Sequence, residues 1–438
     1  MTYQETIQYL YSQTPLFQNI GASAYKEGLS NSLALDKKTG LPHHDYRTVH
    51  VAGTNGKGSI SHTLAAILQS AGYRTGLYTS PHILDFRERI RIDGKPVSRN
   101  FVIDFVERYR DFFEPLNPSF FEVTTAMALK YFSESKVDIA VIEVGLGGRL
   151  DCTNIISPDL SIITNIGLDH VNLLGNTLPE IAAEKAGIIK PGTPVVIGES
   201  HPETRLVFES RAKLENAPIH FSESNSQIFS TCTDHEGNLI FQTRHYKSLF
   251  FELQGECQSK NANTILSAVN QLQKKGYIIP EAAIRKGFGS VCELTGLRGR
   301  WQTISLAPRI ICDTGHNVHG IQYISRHLDR LSASPGIGTL RIVIGMVNDK
   351  DIKGILNILP KNALYYFTQS SVTRSLDVDS LTKAAESAGL KGTKHTSVAE
   401  AMRTVRKEAS GNDIIFVGGS TFIVADLLSM PEFTYREK

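Results

Sequence analysis

Residues 51–59, Val51-Ala52-Gly53-Thr54-Asn55-Gly56-Lys57-Gly58-Ser59, carry the strongest chemical signal in the sequence. They follow an apolar run and open an amphipathic one, the setting a phosphate-binding loop requires. Glycines let the backbone turn tightly and bring its N–H groups to phosphate oxygens. The N-terminus of the following helix adds partial positive charge. Lys57 can reach β- and γ-phosphates, and Ser59 can cap the helix or approach a metal ion. Two positions depart from the strict G-x-x-x-x-G-K-[ST] pattern: Val51 stands where it has Gly, and Gly58 where it has Ser or Thr.

Other stretches place polar groups at the ends of apolar runs. In Ile139–Val144 a carboxylate, Glu143, lies inside an otherwise apolar strand. Burying it is costly unless it pairs or holds a cation. It is therefore a magnesium-ligand candidate in the manner of a Walker-B acid, with an ion pair to a neighbouring Arg as the alternative. Gly145, Gly147 and Gly148 after it read as a flexible loop. Thr79-Ser80-Pro81-His82 reads as a turn. Arg87–Gly94 reads as an alternating strand with a solvated charged face. Asp169-His170 closes another strand, and because magnesium prefers oxygen His170 reads first as a hydrogen-bonded structural residue. Lys185, in Glu184-Lys185-Ala186-Gly187, reads as a surface lysine on a helix. Asp313 ends an apolar run before Thr314-Gly315-His316-Asn317, which suits either an Asx turn with a helix cap or a ligand site.

These groups need a scaffold that gathers strand ends, and the hydrophobic pattern supplies one. Strand-like runs at 49–52, 75–78, 139–144 and 160–164 alternate with helical stretches, including Leu64, Ile67, Leu68 and Ala71 at i, i+3, i+4, i+7. This predicts an α/β fold with a mostly parallel sheet covered on both faces. Phe229–Thr233 and Leu239–Thr243 read as an antiparallel hairpin attached to that sheet, with a helix over Asn261–Lys274 after it. A Gly- and Arg-rich stretch, Leu294–Arg300, suggests a boundary. The expected division is 1–297 and 298–438, the second part a smaller α/β domain with strands at 310–312, 340–344, 363–367 and 413–417.

The chain has 438 residues and a formal net charge of +2. Near-neutral charge gives no electrostatic footprint for nucleic acid. No apolar run is long enough to span a bilayer, and the first residues lack the pattern of a signal peptide. The five cysteines, Cys152, Cys232, Cys257, Cys292 and Cys312, form no C-x-x-C and fit neither a disulfide framework nor a zinc site. A reducing cytoplasm is the expected location.

Taken together, the glycine loop, Thr79–His82, Glu143–Asp151, Leu168-Asp169-His170, Glu184–Gly187 and Asp313–Asn317 resemble the folylpolyglutamate synthases and dihydrofolate synthases, relatives of the Mur ligases. They occur in family order between about Tyr9 and Asp426. The resemblance implies a Mur-ligase-like fold: a P-loop domain with a small antiparallel subdomain, then a smaller Rossmann-like domain. It makes both departures of the glycine loop family features. It implies that Asn55, Gly56, Lys57, Gly58 and Ser59 bind ATP phosphates, and that Asn261, Arg300 and Asp313 also contact ATP. Ser80, Glu143 and His170 match magnesium ligands, with two ions expected. Lys185 matches a lysine that is carbamylated in family members. His316 matches a neighbouring active-site position. Phe120, Phe121, Glu122, Leu150, Asp151 and Cys152 match the pterin side. Two departures stand out: the segment Asn19–Tyr25 differs from the family's, and Cys257 replaces a usual His while Gln258 is retained.

The activity implied is ATP-dependent ligation of L-glutamate to dihydropteroate, a reduced folate, or both, through an acyl phosphate. Lys57 and magnesium neutralise charge; His170 and carbamylated Lys185 set the metal near the reacting carboxylate. Asp313 and His316 are candidates to orient or deprotonate the amine, and domain closure would bring Arg300 and Asp313 onto ATP. A monomer is the family expectation. The rivals are a murein ligase acting on a UDP-MurNAc-peptide, which the Gly147-Gly148-Arg149 loop disfavours, and a non-catalytic ATP-binding relative, which the full set of acids and lysines disfavours.

Overall fold

Short Val- and Ile-rich runs become strands buried on both faces, because the helices between them return over the sheet. The computed structural model describes residues 1–14, 28–234 and 237–433, so Asn19–Tyr25 lies outside the described residues. The chain divides into two units: Met1–Leu253 with Cys257–Leu297, and Gln254–Glu256 with Arg298–Lys438.

The first unit holds an eight-stranded sheet of β1 (Arg47–Ala52), β2 (Thr75–Tyr78), β3 (Ile90–Ile92), β4 (Lys95–Pro96), β5 (Ile139–Glu143), β6 (Leu160–Ile163), β7 (Val195–Ile197) and β8 (Ile219–Phe221). Its order is β4-β3-β2-β5-β1-β6-β7-β8. All neighbours are parallel except β2–β3 and β3–β4. The chain leaves β1 towards β2 on one side and later builds β6, β7 and β8 on the other. The carboxyl end of β1 is thus a topological switch point, where open α/β sheets bind ligands. Alternation sends Val49 and Val51 into a core shared with the helices Lys57–Ser70 and Cys257–Lys274. The opposite face of the sheet packs against the helices Arg99–Phe113 and Phe120–Glu134 and, further along, Leu178–Ala186 and Pro202–Leu214.

Two expectations need correction here. The hairpin strands β9 (Ile228–Thr233) and β10 (Leu239–Thr243) do not join the main sheet. With β11 (Leu249–Phe251) they form a separate antiparallel sheet, whose Leu239, Phe241, Leu249 and Phe251 enter the core under the helix Cys257–Lys274. The segment Arg87–Gly94 is not one solvated strand either. Phe86–Arg89 is a 3₁₀ turn, only Ile90–Ile92 is strand, and Arg89 and Arg91 are buried. Charge alternation misled because long guanidinium stems can bury while their heads find polar partners; the Arg91 Nη1 donates to the Gly94 carbonyl at 3.0 Å.

The second unit has a six-stranded sheet of β12 (Gln302–Leu306), β13 (Arg309–Asp313), β14 (Leu340–Ile344), β15 (Leu364–Phe367), β16 (Gly392–Lys394) and β17 (Ile414–Gly418), in the order β12-β13-β17-β14-β15-β16. Only β12 runs antiparallel. One face of this sheet, with Ile311, Ile342, Ile344, Phe367 and Phe416, shares a core with Trp301, Ile321, Leu328, Leu356 and Leu381.

Candidate active site

The glycine loop leaves β1 and enters the helix Lys57–Ser70 with Gly56 as N-cap, at φ 83°. That left-handed backbone favours glycine, and a Cβ there would stand 2.5 Å from the Asn261 Oδ1. Ser59 is therefore not the cap. It is buried in the first helical turn, where its hydroxyl accepts a bond from the Gln258 Nε2 at 3.2 Å; Gln258 in turn accepts from the Asn261 Nδ2 at 2.9 Å. The other side of the loop is fastened to the residues after β6. The Thr54 and Asn55 amides donate to the Asn165 carbonyl (3.0 Å) and side-chain oxygen (2.9 Å). The Thr54 hydroxyl exchanges bonds with the Gly167 backbone at 3.0 and 3.1 Å. Sequence reading passed over Asn165; its signal was a polar Thr164-Asn165 pair directly after an apolar strand.

Two lysines converge on this loop. The Lys57 Nζ donates to the Gly53 carbonyl at 2.9 Å and the Thr54 carbonyl at 3.2 Å. The Lys185 Nζ donates to the same Gly53 carbonyl at 3.1 Å. Lys185 is 4% exposed, which overturns its reading as a surface lysine. Burial lowers its pKa from 10.5 to about 7, helped by repulsion from Lys57 and opposed by Asp169, Asp151 and Glu184. Such a shift corresponds to a cost on the order of 5 kcal/mol for holding the ammonium there rather than in water. Near neutral pH a large share of Lys185 is therefore a neutral amine.

Backbone contact explains how a helical lysine reaches a strand end. A Cβ on Gly148 would lie 2.8 Å from the Glu184 carbonyl oxygen and 3.0 Å from the Lys185 Cα, and one on Gly145 would strike the Phe121 ring at 2.4 Å. The Arg149 amide donates to the Glu184 carbonyl at 2.7 Å, and its guanidinium pairs with the Glu184 carboxylate at 2.8 Å. The Gly145–Asp151 loop is thus a close-packed joint rather than the flexible loop expected. Asp151, buried in this joint, accepts from the amides of Leu146 (2.8 Å) and Thr153 (3.0 Å) and from the Thr153 hydroxyl. Burial raises its pKa, while those donors act to lower it. Leu150 and Cys152 flank it, both partly exposed. Burial, then Asp151 and Glu122, push the Cys152 thiol well up, so it stays protonated.

The aromatic wall starts the helix Phe120–Glu134. Phe120 is buried and packs on Tyr11 at 5.5 Å, while Phe121 stacks on Tyr78 at 5.7 Å. Glu122 closes a capping box: the Ser119 amide donates to its carboxylate at 2.6 Å and its own amide donates to the Ser119 hydroxyl at 3.2 Å. Its carboxylate is engaged in starting the helix. Arg89 lies over Phe120 at 5.2 Å and donates from Nε to the His82 Nδ1 at 2.8 Å. His82 must then carry any proton on Nε2, which faces the Tyr11 hydroxyl at 3.3 Å. Burial and Arg89 lower the His82 pKa to about 3, so the ring is neutral.

Glu143, 3% exposed, ends β5 opposite Val51 of β1. It adds its charge to the surroundings of buried Arg89. Ser80 follows β2. His170, at φ 50°, caps the short helix Val171–Leu174, and its amide donates to the Asp169 carboxylate at 2.9 Å. Ser80, Glu143, His170 and the glycine loop therefore all follow carboxyl ends of one run of parallel strands. Among the described residues no group of three or more His, Cys, Asp or Glu side chains is arranged to hold a metal.

In the second unit, Asp313 ends β13 with both oxygens engaged: the Gly315 amide donates to Oδ1 and the Trp301 amide to Oδ2, each at 2.7 Å. Burial raises its pKa against the Arg300 charge, these amides and His316. Arg300 bonds the Thr314 hydroxyl and the Gly299 carbonyl, and the His316 Nδ1 lies 2.9 Å from the Thr314 carbonyl. Asn317 caps the helix Val318–Ser332. The Asx turn and helix cap are both present, and they hold Arg300, Asp313 and His316 at one strand end.

Comparison with known proteins bears on this geometry directly. The Mur ligase middle domain matches residues 51–269, and the Mur ligase glutamate ligase domain matches residues 299–421. The Bacillus subtilis dihydrofolate synthase/folylpolyglutamate synthase is 32% identical over 414 residues, covering 92% of this chain and 94% of that one. The chain belongs to the dihydrofolate synthase/folylpolyglutamate synthase family. As a family member within the Mur ligases it is an amide-forming ligase. Escherichia coli FolC in complex with DHPP and ADP superposes with a TM-score of 0.84 at 30% identity, covering 98% of this chain and 97% of that one. A bifunctional folylpolyglutamate synthase/dihydrofolate synthase with Mn, AMPPNP and L-glutamate bound gives 0.81 at 28% identity, covering 98% of each. The family assignment takes in the folate branch rather than the murein branch, and no helix among the described residues is long and apolar enough to cross a membrane.

Proposed function

We propose that this chain uses ATP to join L-glutamate to dihydropteroate and to reduced folates, with the phosphate cradle formed by residues 53–59. The observation that carries the reading is the convergence of Lys57 and Lys185 on the Gly53 carbonyl, at the switch point of a parallel sheet. An acceptor carboxylate oxygen attacks the γ-phosphorus, the bond to ADP breaks, and an acyl phosphate forms. The glutamate nitrogen then attacks the acyl carbon, loses a proton, and phosphate leaves with the attacking oxygen. Positioning and charge neutralisation supply most of the catalysis. Lys57, released from its loop carbonyls, follows the phosphate charge. Asn55, Gly56, Gly58 and Ser59 complete the cradle with Asn261. In the second unit, Arg300 and Asp313 are the proposed ATP-binding residues, and His316 with Asp313 the residues proposed to orient the incoming amine.

Magnesium suits this donor set. It keeps several waters and phosphate oxygens and needs only one or two protein carboxylates, so buried Glu143 with the Ser80 hydroxyl and the His170 ring meets the demand without a multi-acid cluster. When bound, the metal neutralises phosphate charge; two ions are the number proposed. Lys185 is proposed to be carbamylated: its neutral amine adds to CO₂, forming an N–C bond and releasing a proton, and a cation becomes an oxygen-donor acid. Phe120, Phe121, Leu150, Asp151 and Cys152 form the pterin side, and Glu122 sets the helix that presents it. The protein acts as a cytoplasmic monomer, with neither nucleic acid nor membrane as partner.

The test is ADP release with glutamate and each of three acceptors. Dihydropteroate and tetrahydrofolate should each support it. Turnover only with a UDP-sugar tripeptide, or with none of the three, overturns the proposal.

A further inference from the structure

His50 sits in the middle of β1, fully buried, three residues before the glycine loop. Its strand neighbours are Ile142 on β5 and Ser161 on β6. It points to the face opposite Val49 and Val51, away from the helix that follows the glycine loop. An apolar β-branched side chain would suit so central a strand. Among the described residues the imidazole instead leaves Nδ1 buried with no hydrogen-bond partner, a cost that calls for a compensating role. The other ring nitrogen, Nε2, lies 2.8 Å from the Thr153 hydroxyl oxygen. Thr153 is itself fully buried, and its hydroxyl donates to the Asp151 carboxylate.

The proton positions in this chain follow from what each group can do. The Asp151 carboxylate accepts the Leu146 and Thr153 amides, so it is the acceptor at its end of the chain. The Thr153 hydroxyl spends its one proton on Asp151 and can only accept from His50. His50 must therefore be the Nε2–H tautomer, and burial keeps the ring neutral, with its pKa lowered to about 3. The donor chain runs one way: His50 Nε2–H to the Thr153 hydroxyl to the Asp151 carboxylate. Polarised in series, each donor strengthens the next.

We infer that His50 is a positioning residue for the acceptor substrate, holding the Asp151 carboxylate in its working orientation through the Thr153 hydroxyl. This rests on the reading of Asp151 as part of the pterin side. The relay joins the strand that delivers the phosphate loop to the loop that receives the acceptor, yet its effect is confined to the acceptor. A merely structural role for His50 would behave differently. Disturbing β1 would reach Gly53 and Lys57 first and weaken ATP.

The experiment is steady-state kinetics and melting on the full chain for His50→Leu, His50→Gln, Thr153→Val, Thr153→Ser and Asp151→Asn. His50→Leu and Thr153→Val should each raise the acceptor KM about tenfold, the scale of one lost hydrogen bond, with the KM values for ATP and glutamate unchanged. His50→Gln, which keeps an N–H donor at a similar reach, and Thr153→Ser should recover most of the loss. Equal rises in all three KM values, or a lower Tm with unchanged KM, overturns the inference. If His50→Leu fails to fold, Thr153→Val decides, because valine matches threonine in shape and removes only the hydroxyl. Asp151→Asn separates the two readings. An unchanged acceptor KM there refutes Asp151 as a pterin-side residue. A raised KM there with normal Thr153→Val kinetics refutes the relay alone.

Discussion

At the carboxyl edge of the sheet in the first unit, two lysine side chains share the carbonyl of Gly53. At the carboxyl edge of the sheet in the second unit, a carboxylate, Asp313, is clasped by the amides of Trp301 and Gly315. Both edges arise from the same topology, parallel strands whose ends collect polar loops. Their chemistry differs in what the backbone offers the side chain. In the first unit carbonyl oxygens accept from amines, and on the proposed function Lys57 exchanges them for phosphate oxygens, which hold it more strongly. In the second unit N–H groups face the anion and fix it, so Asp313 is a held reference point beside Arg300. On the proposed function, one edge gives up its internal bonds to a ligand and the other keeps them.

The sharpest break of this contrast is Lys57→Ala. It should lower ADP formation by about 10³-fold or more and leave the melting temperature nearly unchanged, because the Gly53 carbonyl keeps its bond from Lys185. Near-normal turnover would remove the phosphate-cradle reading. Lys185→Ala comes next, with a loss of about 10²-fold and partial recovery with added short carboxylic acids; no recovery at any concentration counts against the carbamate.

The pH dependence sharpens the same point. Lys185 is held down to about 7 by burial and by Lys57. Below pH 7 it is an ammonium and cannot add CO₂; above pH 7 the free amine can. A ¹³C carbamate signal from labelled bicarbonate should therefore be weak at pH 6 and strong at pH 8, and absent from Lys185→Ala. A signal that is flat across that range contradicts the assignment.

The second unit should respond through stability. Asp313→Asn exchanges one acceptor oxygen for an N–H₂ that must face a backbone N–H, so the unit should lose about 1–3 kcal/mol, read by denaturant unfolding. Gly148→Ala should have a comparable or smaller effect in the first unit, about 1–3 kcal/mol, because its Cβ meets the Glu184 and Lys185 backbone. It should also lower carbamylation by shifting Lys185. A stable Gly148→Ala with full activity would show that the joint is looser than its contacts indicate.

What the sequence disclosed, and what it hid, divides along similar lines. The glycine loop, Glu143 and Asp313 were legible because local pattern reports them: a polar group ending an apolar run is visible without a fold. Lys185 was not, because its burial comes from a backbone contact between Gly148 and the helix Leu178–Ala186 across a long sequence separation. By itself it looked like any helical lysine. Arg89 and Arg91 failed for a related reason, since charge alternation cannot distinguish solvent from a buried face lined with carbonyls and aromatic rings. The three-stranded sheet was legible as a hairpin, yet nothing in β9 and β10 announced β11 as their partner instead of the main sheet. Asn165 and the His50–Thr153–Asp151 chain became readable only when register placed side chains from separate segments together.

The central claim, that the carboxylate is activated as an acyl phosphate, has one direct measurement. The acceptor is prepared with ¹⁸O in its reacting carboxylate and turned over with unlabelled ATP and glutamate, and the released phosphate is analysed by mass. Attack of the carboxylate on the γ-phosphorus followed by amine attack on carbon predicts one ¹⁸O transferred to each phosphate. Phosphate released without label during amide formation would contradict it.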